Sequence, residues 1–312
     1  VGLVPLILIL AAAAAHAAWN LLAKQASGGV AFVWLCGAAG VLIYAPAALI
    51  QLVIDSDRLS WAGLGFMAGS AILHAGYFNA LQRGYKLGDL SLVYPLARGT
   101  GPLLSVIAAI VILGETANGL TLLGAGLIIV AIISLAGGAR GDHARPAIVL
   151  AALTGACTAA YTVWDAHAVT ALHQPVIVYY WGAELIRAGL LAGPAWRRRA
   201  ELSADGPRRV ESSVDGPRRV ESSGERHRPG GLSVDRRQLR AAVGVGLLSP
   251  AAYILILIAF TLAPVVVVAP AREVSIVIGV LIGANSLGEG HALKRTIAAT
   301  AILAGIVLLA VS

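Results

Sequence analysis

Apolar runs long enough to cross a bilayer as helices, roughly 20 residues each, recur ten times along this 312-residue chain. They lie near 3–22, 31–52, 61–82, 90–113, 118–137, 146–164, 175–195, 241–262, 265–287 and 293–312. Short connections carry the turn and charge signals, as in Ser27-Gly28-Gly29, Asp55-Ser56-Asp57-Arg58 and Lys86-Leu87-Gly88-Asp89. Such runs are too long and too continuously apolar for barrel strands, which alternate over about ten residues. The first run lacks the basic flank of a secretory leader and is followed by nine more, so it is expected to be a span. Only 12% of the residues are charged, against about a quarter in a soluble domain. The predicted fold class is therefore an all-α membrane protein with ten transmembrane helices. Cys36 and Cys157 lie inside apolar runs and are expected to be buried free thiols.

The charge is gathered in one segment. Residues 196–240 hold 12 of the 23 Lys and Arg and 7 of the 16 Asp and Glu. The sequence DGPRRVESS occurs there twice, at 205–213 and 215–223. Gly, Pro, Ser and charge predict a disordered Arg-rich loop, either a solvated linker or a basic segment held near anionic lipid headgroups. It offers no folded basic face with stacking aromatics, so a nucleic-acid partner is not expected.

The two halves resemble each other. His16-Ala-Ala-Trp-Asn20 in the first run matches Thr158-Ala-Ala-Tyr-Thr162 in the sixth. Pro95-Leu96-Ala97-Arg98 matches Pro270-Ala271-Arg272, and each Arg stands 17 positions before a Gly-Glu, at Glu115 and Glu289. Three matches in one order imply duplication. Five is odd, so the second copy enters the membrane from the opposite side. The expected domains are two inverted five-helix repeats, 1–140 and 141–312, an arrangement of secondary transporters.

HAAWNLLAK (16–24), GDLSLVYPLARG (88–99), LGE (113–115), AAYTVWD (159–165), PAREVS (270–275) and LGE (287–289) resemble the drug/metabolite transporter superfamily, in its ten-span EamA-type branch. The resemblance covers nearly the whole chain outside 196–240. It implies a multi-pass permease of the plasma (inner) membrane that moves a small metabolite by alternating access, often as an exporter, with proton coupling or exchange. Two departures stand out: the long repetitive loop, and the apolar second-half counterparts, with Thr158 for His16 and Ala166 for Lys24.

A charged side chain at mid-helix costs about 2.5–3.5 kcal/mol on insertion scales, so it needs a partner or a wet cavity. Arg98 follows Pro95, which leaves a carbonyl unpaired. One reading sets Arg98 and Tyr94 on an anionic solute; the other pairs Arg98 with a carboxylate. Arg272 and Glu273 point about 100° apart on a helix and each needs its own partner; Glu273 either carries a proton or is a fixed counter-charge. Glu184 and Arg187, at i,i+3, share a face and can pair; Glu184 is also a coupling candidate. Tyr179, Tyr180 and Trp181 before them read as interfacial anchors or as an aromatic site lining. His16, Asn20 and Lys24 form a polar stripe on the first span, with Lys24 placed to snorkel. His74 and Tyr77 share a face of the third span. Tyr161, Trp164 and Asp165 close the sixth, where Asp165 either binds a cation or proton or sits in headgroup water. Gly65 and Gly69, and Gly279 and Gly283, have the spacing of close helix contacts.

The candidate substrate-binding residues are thus Arg98, Tyr94, Arg272, His16, Asn20, His74, Tyr77, Tyr161 and Trp164, and the coupling candidates are Glu273, Asp165 and Glu184. Two arginines favour a carboxylate- or phosphate-bearing solute, which guanidinium pairs bidentately. The alternative is efflux of hydrophobic cations, using acids and aromatics. No GxxxxGK[ST], HExxH or G-x-S-x-G occurs, so no ATPase, zinc protease or serine hydrolase is expected, and neither cofactor nor metal. An intramembrane enzyme and a non-transporting scaffold are the remaining classes. The basic loops follow odd-numbered spans, which places them in the cytoplasm by charge; the family resemblance implies the opposite orientation.

Overall fold

The computed structural model describes residues 2–24, 29–88, 90–114, 116, 118–137, 144–199, 235–272 and 292–311. Among these there is no strand. The helices are α1 (Leu3–Lys24), α2 (Val30–Ile54), α3 (Trp61–Leu87), α4 (Leu90–Leu113), α5 (Gly119–Gly137), α6 (Ala144–Thr170), α7 (Val176–Arg197), α8 (Arg236–Leu262), α9 (Val265–Ala271) and α10 (Ala292–Val311). A 3-10 turn spans Ser56–Arg58. Within lipid an apolar chain must satisfy its backbone internally, and helices do so within each segment. By length and composition α2, α8 and Arg145–Thr170 of α6 can cross a membrane; Leu3–Trp19, Leu96–Ile112 and Gly119–Ala131 are shorter apolar stretches.

Helix ends are set by local chemistry. Ser60 accepts from the Gly63 amide at 3.0 Å, and Asp235 from the Arg237 amide at 3.0 Å. Asn118 Oδ1 caps α5, accepting from the amides of Leu120 and Thr121. Gly114, just past α4, takes φ +70°, the left-handed geometry that glycine permits at a helix C-terminus. The start of α7 is capped from afar: Gln51 Oε1 in α2 accepts from the Ile177 and Val178 amides at 2.9 and 3.2 Å.

The main seams join α4 to α6, α3 to α6, α1 to α8, α5 to α10, and α2 to both α7 and α8. Secondary seams join α3 to α7, α4 to α9, α4 to α5 and α9 to α10. Helix directions follow from paired residues. Gly63, Gly69, Gly76 and Gly84 of α3 face Gln174, Trp164, Cys157 and Leu150 in turn, so α3 and α6 are antiparallel. So are α2 and α7. The Trp34 indole donates to the Ala188 carbonyl at 3.0 Å, and the Trp181 indole donates to the Val41 carbonyl at 2.9 Å.

Glycines allow the closest approaches. A Cβ at Gly246 would lie 2.8 Å from the Cys36 carbonyl and the Gly40 amide nitrogen, so α8 meets α2 backbone to backbone. A Cβ at Gly155 would lie 2.6 Å from Thr100 Cβ and 2.9 Å from the Gly101 nitrogen, which joins α6 to α4 in the same way. The paired spacing of Gly65 and Gly69 does not form one seam. Gly69 makes room for the Trp164 ring, while Gly65 has open space beside it. Gly279 and Gly283 lie outside the described residues.

Outward faces are apolar. Leu42, Val53, Val111 and Leu122 are each more than two-thirds exposed, as suits side chains that face hydrocarbon. Trp61 and Trp196 are exposed near helix ends, and Arg199 lies over the Trp196 ring, the arrangement of interfacial anchors.

Candidate functional site

The interior polar residues gather on the inner faces of α1, α3, α4, α6, α7 and α8 and just past the end of α9. Arg98 Nη2 lies 3.0 Å from His16 Nε2. Guanidinium only donates, so that His nitrogen accepts and the imidazole is neutral with its proton on Nδ1. His16 therefore brings no charge of its own to this contact. Trp19 stands edge-on to His16, ring centroids 4.9 Å apart, and its buried indole N–H meets no acceptor among the described residues. Arg272 lies within electrostatic reach of His16 as well. Its Nη2 donates to the Tyr161 hydroxyl at 3.5 Å, and its guanidinium sits 5.6 Å from that ring's centre.

Beside Arg98 runs a narrow cleft between Tyr77 and Tyr85 of α3, Pro102 of α4, and Thr154 and Thr158 of α6. At about 10 Å³ it holds no more than a single water. The Gly101–Gly155 contact brings α4 and α6 together at its wall. Thr154 and Thr158 donate to the Leu150 and Thr154 carbonyls of their own helix.

An aromatic cluster continues from Arg272. Tyr161 stacks on His74 at 4.1 Å, and Tyr253 stands edge-on to both. Tyr77 meets the edge of Tyr161, and Tyr180 tilts against Tyr253. His74 Nδ1 lies 2.9 Å from the Ser70 carbonyl and 3.3 Å from its hydroxyl. Behind this cluster sits Asp165, with no exposed surface. Its two carboxylate oxygens accept from the hydroxyls of Tyr179 and Tyr253, each at 2.7 Å.

Two expectations are corrected. Asp165 is not at a helix end in headgroup water, because α6 continues to Thr170. Two phenols satisfy the carboxylate, so the charge does not mark the membrane surface. Tyr179 and Tyr180 are not interfacial anchors; both are buried, their hydroxyls donating to Asp165 and Glu184. Trp181 points across to α2 instead of outward.

The structure thus brings together Arg98, His16, Arg272, Tyr161, His74, Tyr77 and Asp165. Glu184 is turned to Arg187, which donates to both its oxygens at 2.6 and 2.5 Å, and Gly37 of α2 leaves the space its carboxylate fills. Trp164 stands apart from Arg98: it stacks on Phe66, donates to the Phe66 carbonyl at 2.8 Å and is 37% exposed. The side chains of Tyr94, Asn20 and Lys24, and all of Glu273, Glu115 and Glu289, lie outside the described residues, as does 200–234. Sequence reasoning missed Tyr253 and Ser70. Tyr253 follows Ser249-Pro250 and is the one tyrosine in the apolar run 241–262, which is the signal the sequence offers for it.

No family model matches the chain, and no curated protein does. A crystal structure described only as that of a protein shares 17% identity over 98% of this chain and 98% of its own, with a TM-score of 0.63. At that identity the likeness shows a shared fold alone.

Proposed function

We propose that the chain is a ten-span secondary transporter of the drug/metabolite type, built of two inverted five-helix repeats in the plasma (inner) membrane. Helix packing supports the repeat. Exchanging each helix with the one five places along turns α3–α6 into α8–α1, α2–α8 into α7–α3, and α4–α5 into α9–α10, all of them packed pairs. The pairs α2–α7, α4–α9 and α5–α10 map onto themselves. The register supports it too: Trp34 and Val41 plus 147 positions are Trp181 and Ala188, the four residues of the two reciprocal indole bonds. Equivalent helices running antiparallel are what inversion requires.

The solute we assign is a small anionic metabolite bearing a carboxylate or phosphate. The observation that carries this is the convergence of Arg98, Arg272 and the open Trp19 indole around a neutral His16, inside a bundle whose exterior suits lipid. Guanidinium is weakly hydrated and matches such anions bidentately. The one-water cleft beside Arg98 is closed to a solute. Entry then requires α4 to part from α3 and α6, as rocking of one repeat against the other provides. The second reading, efflux of hydrophobic cations, is favoured by the aromatic cluster in front of Asp165.

Thermal unfolding of purified protein with organic acids, sugar phosphates, nucleosides and lipophilic cations separates the two. A ligand at 100 times its dissociation constant stabilises the folded state by about 2.7 kcal/mol. Anions should stabilise the wild type but not Arg98→Ala, and Arg98→Lys should be weakened. The stabilising anion should then accumulate unchanged in sealed proteoliposomes. Equal stabilisation of all three proteins by anions rules out Arg98 as the seat; stabilisation by lipophilic cations alone favours the second reading.

A further inference from the structure

We propose that Asp165 is a proton-binding site, at which the protein takes up and releases one proton through reversal of the hydrogen-bond chain Asp165–Tyr179–Phe66 carbonyl. Asp165 is wholly buried where α3, α6, α7 and α8 meet. The groups in reach of it are Ser70 from α3, Tyr179 from α7, Tyr253 from α8 and, at longer range, Arg272 after α9, with His74 bonded to Ser70 and the His74 and Tyr161 rings packed on Tyr253. Glu184 and Arg187, also on α7, pair with each other. Among the described residues no Lys or Arg forms an ion pair with Asp165.

A carboxylate held this way away from water is costly unless it is paired or neutralised. A metal ion needs several oxygen lone pairs turned inward, whereas both phenols here turn their hydrogens toward the carboxylate. A proton needs only the carboxylate. The structure also supplies the rearrangement that protonation demands. The Tyr179 hydroxyl lies 3.3 Å from the Phe66 carbonyl as well as 2.7 Å from Asp165 Oδ1. When Oδ1 gains a proton, the new O–H donates to the Tyr179 oxygen and the Tyr179 hydrogen turns to the Phe66 carbonyl. No donor is stranded, and Tyr253 keeps its bond to Oδ2. Ser70 and His74 connect this carboxyl to Tyr161 and hence to Arg272. Neutralising Asp165 leaves more of the Arg272 field for an anion, so on the transporter reading proton and solute bind together.

Proton binding is measurable without a solute. Infrared difference spectra of the purified protein in lipid vesicles, between acidic and alkaline buffer, should show a carboxylic C=O band that shifts in heavy water. Asp165→Asn should lack that band, and Tyr179→Phe and Tyr253→Phe should displace it. If Asp165→Asn fails to fold, the two phenol variants carry the test. A band unchanged in Asp165→Asn or in both phenol variants, or absent from the wild type at every pH, overturns the proposal. So does removal of the band by sodium at constant pH, which would make the site a cation site. Loss of anion binding in the Arg98 variants leaves the band intact, so the two ideas fail separately.

Discussion

Gly155→Ala asks how tightly α4 and α6 are held against each other. The added Cβ would sit 2.6 Å from Thr100 Cβ, 2.9 Å from the Gly101 nitrogen and 3.1 Å from the Thr100 carbonyl carbon. An ordinary contact begins at 3.4 Å. Two of the three obstacles are backbone, so no side chain can rotate away and the helices must part by most of an ångström. Overpacking costs about 1–3 kcal/mol, and the absence of rotamer relief places this site in the upper half. Alanine recovers up to about 1 kcal/mol of helix propensity over glycine, leaving a net loss of about 1–2 kcal/mol. Gly65→Ala is the matched control. Its Cβ meets nothing within 4 Å, so propensity acts alone and the variant should gain about 0.5–1 kcal/mol. Equilibrium unfolding of both variants in one detergent should therefore move in opposite directions. Equal stability of the two proteins, or a stabilised Gly155→Ala, would refute the reasoning from close approach.

Trp34→Phe and Trp181→Phe each delete one interhelical bond between α2 and α7. Such bonds average about 0.6 kcal/mol in membrane proteins, so the two variants should lose similar amounts in the same unfolding assay. Loop orientation is read by an impermeant maleimide on a chain with Cys36 and Cys157 replaced by serine. By the charge argument, Ser56→Cys should label in intact cells and Ser213→Cys only after permeabilisation.

Helix positions were legible in the sequence because hydrocarbon thickness and apolar length are tied together. The expected 90–113 and 118–137 fall almost on α4 and α5. The sixth run, expected over 146–164 with Asp165 closing it, continues as α6 to Thr170. No local pattern announces that two tyrosines, 14 and 88 positions away, will meet that carboxylate. The polar residues themselves stood out for their cost in lipid. Which of them meet was hidden, since contacts such as Arg98 with His16 join positions 82 apart. Tyr179 and Tyr180 show the same limit: aromatics near the start of an apolar run carry one signature whether they face headgroups or a buried acid.

The reciprocal indole bonds have a mechanical consequence. Residues 34 and 41 of α2 are seven positions apart, about 10 Å along the helix, and both are pegged to α7. Two pegs at that spacing block sliding and swivelling of the pair, and the bonds from the Ile177 and Val178 amides to Gln51 hold the end of α2 to the start of α7 as well. Alignment of these rods is therefore fixed along their length, so any rearrangement of the bundle carries the two as one body.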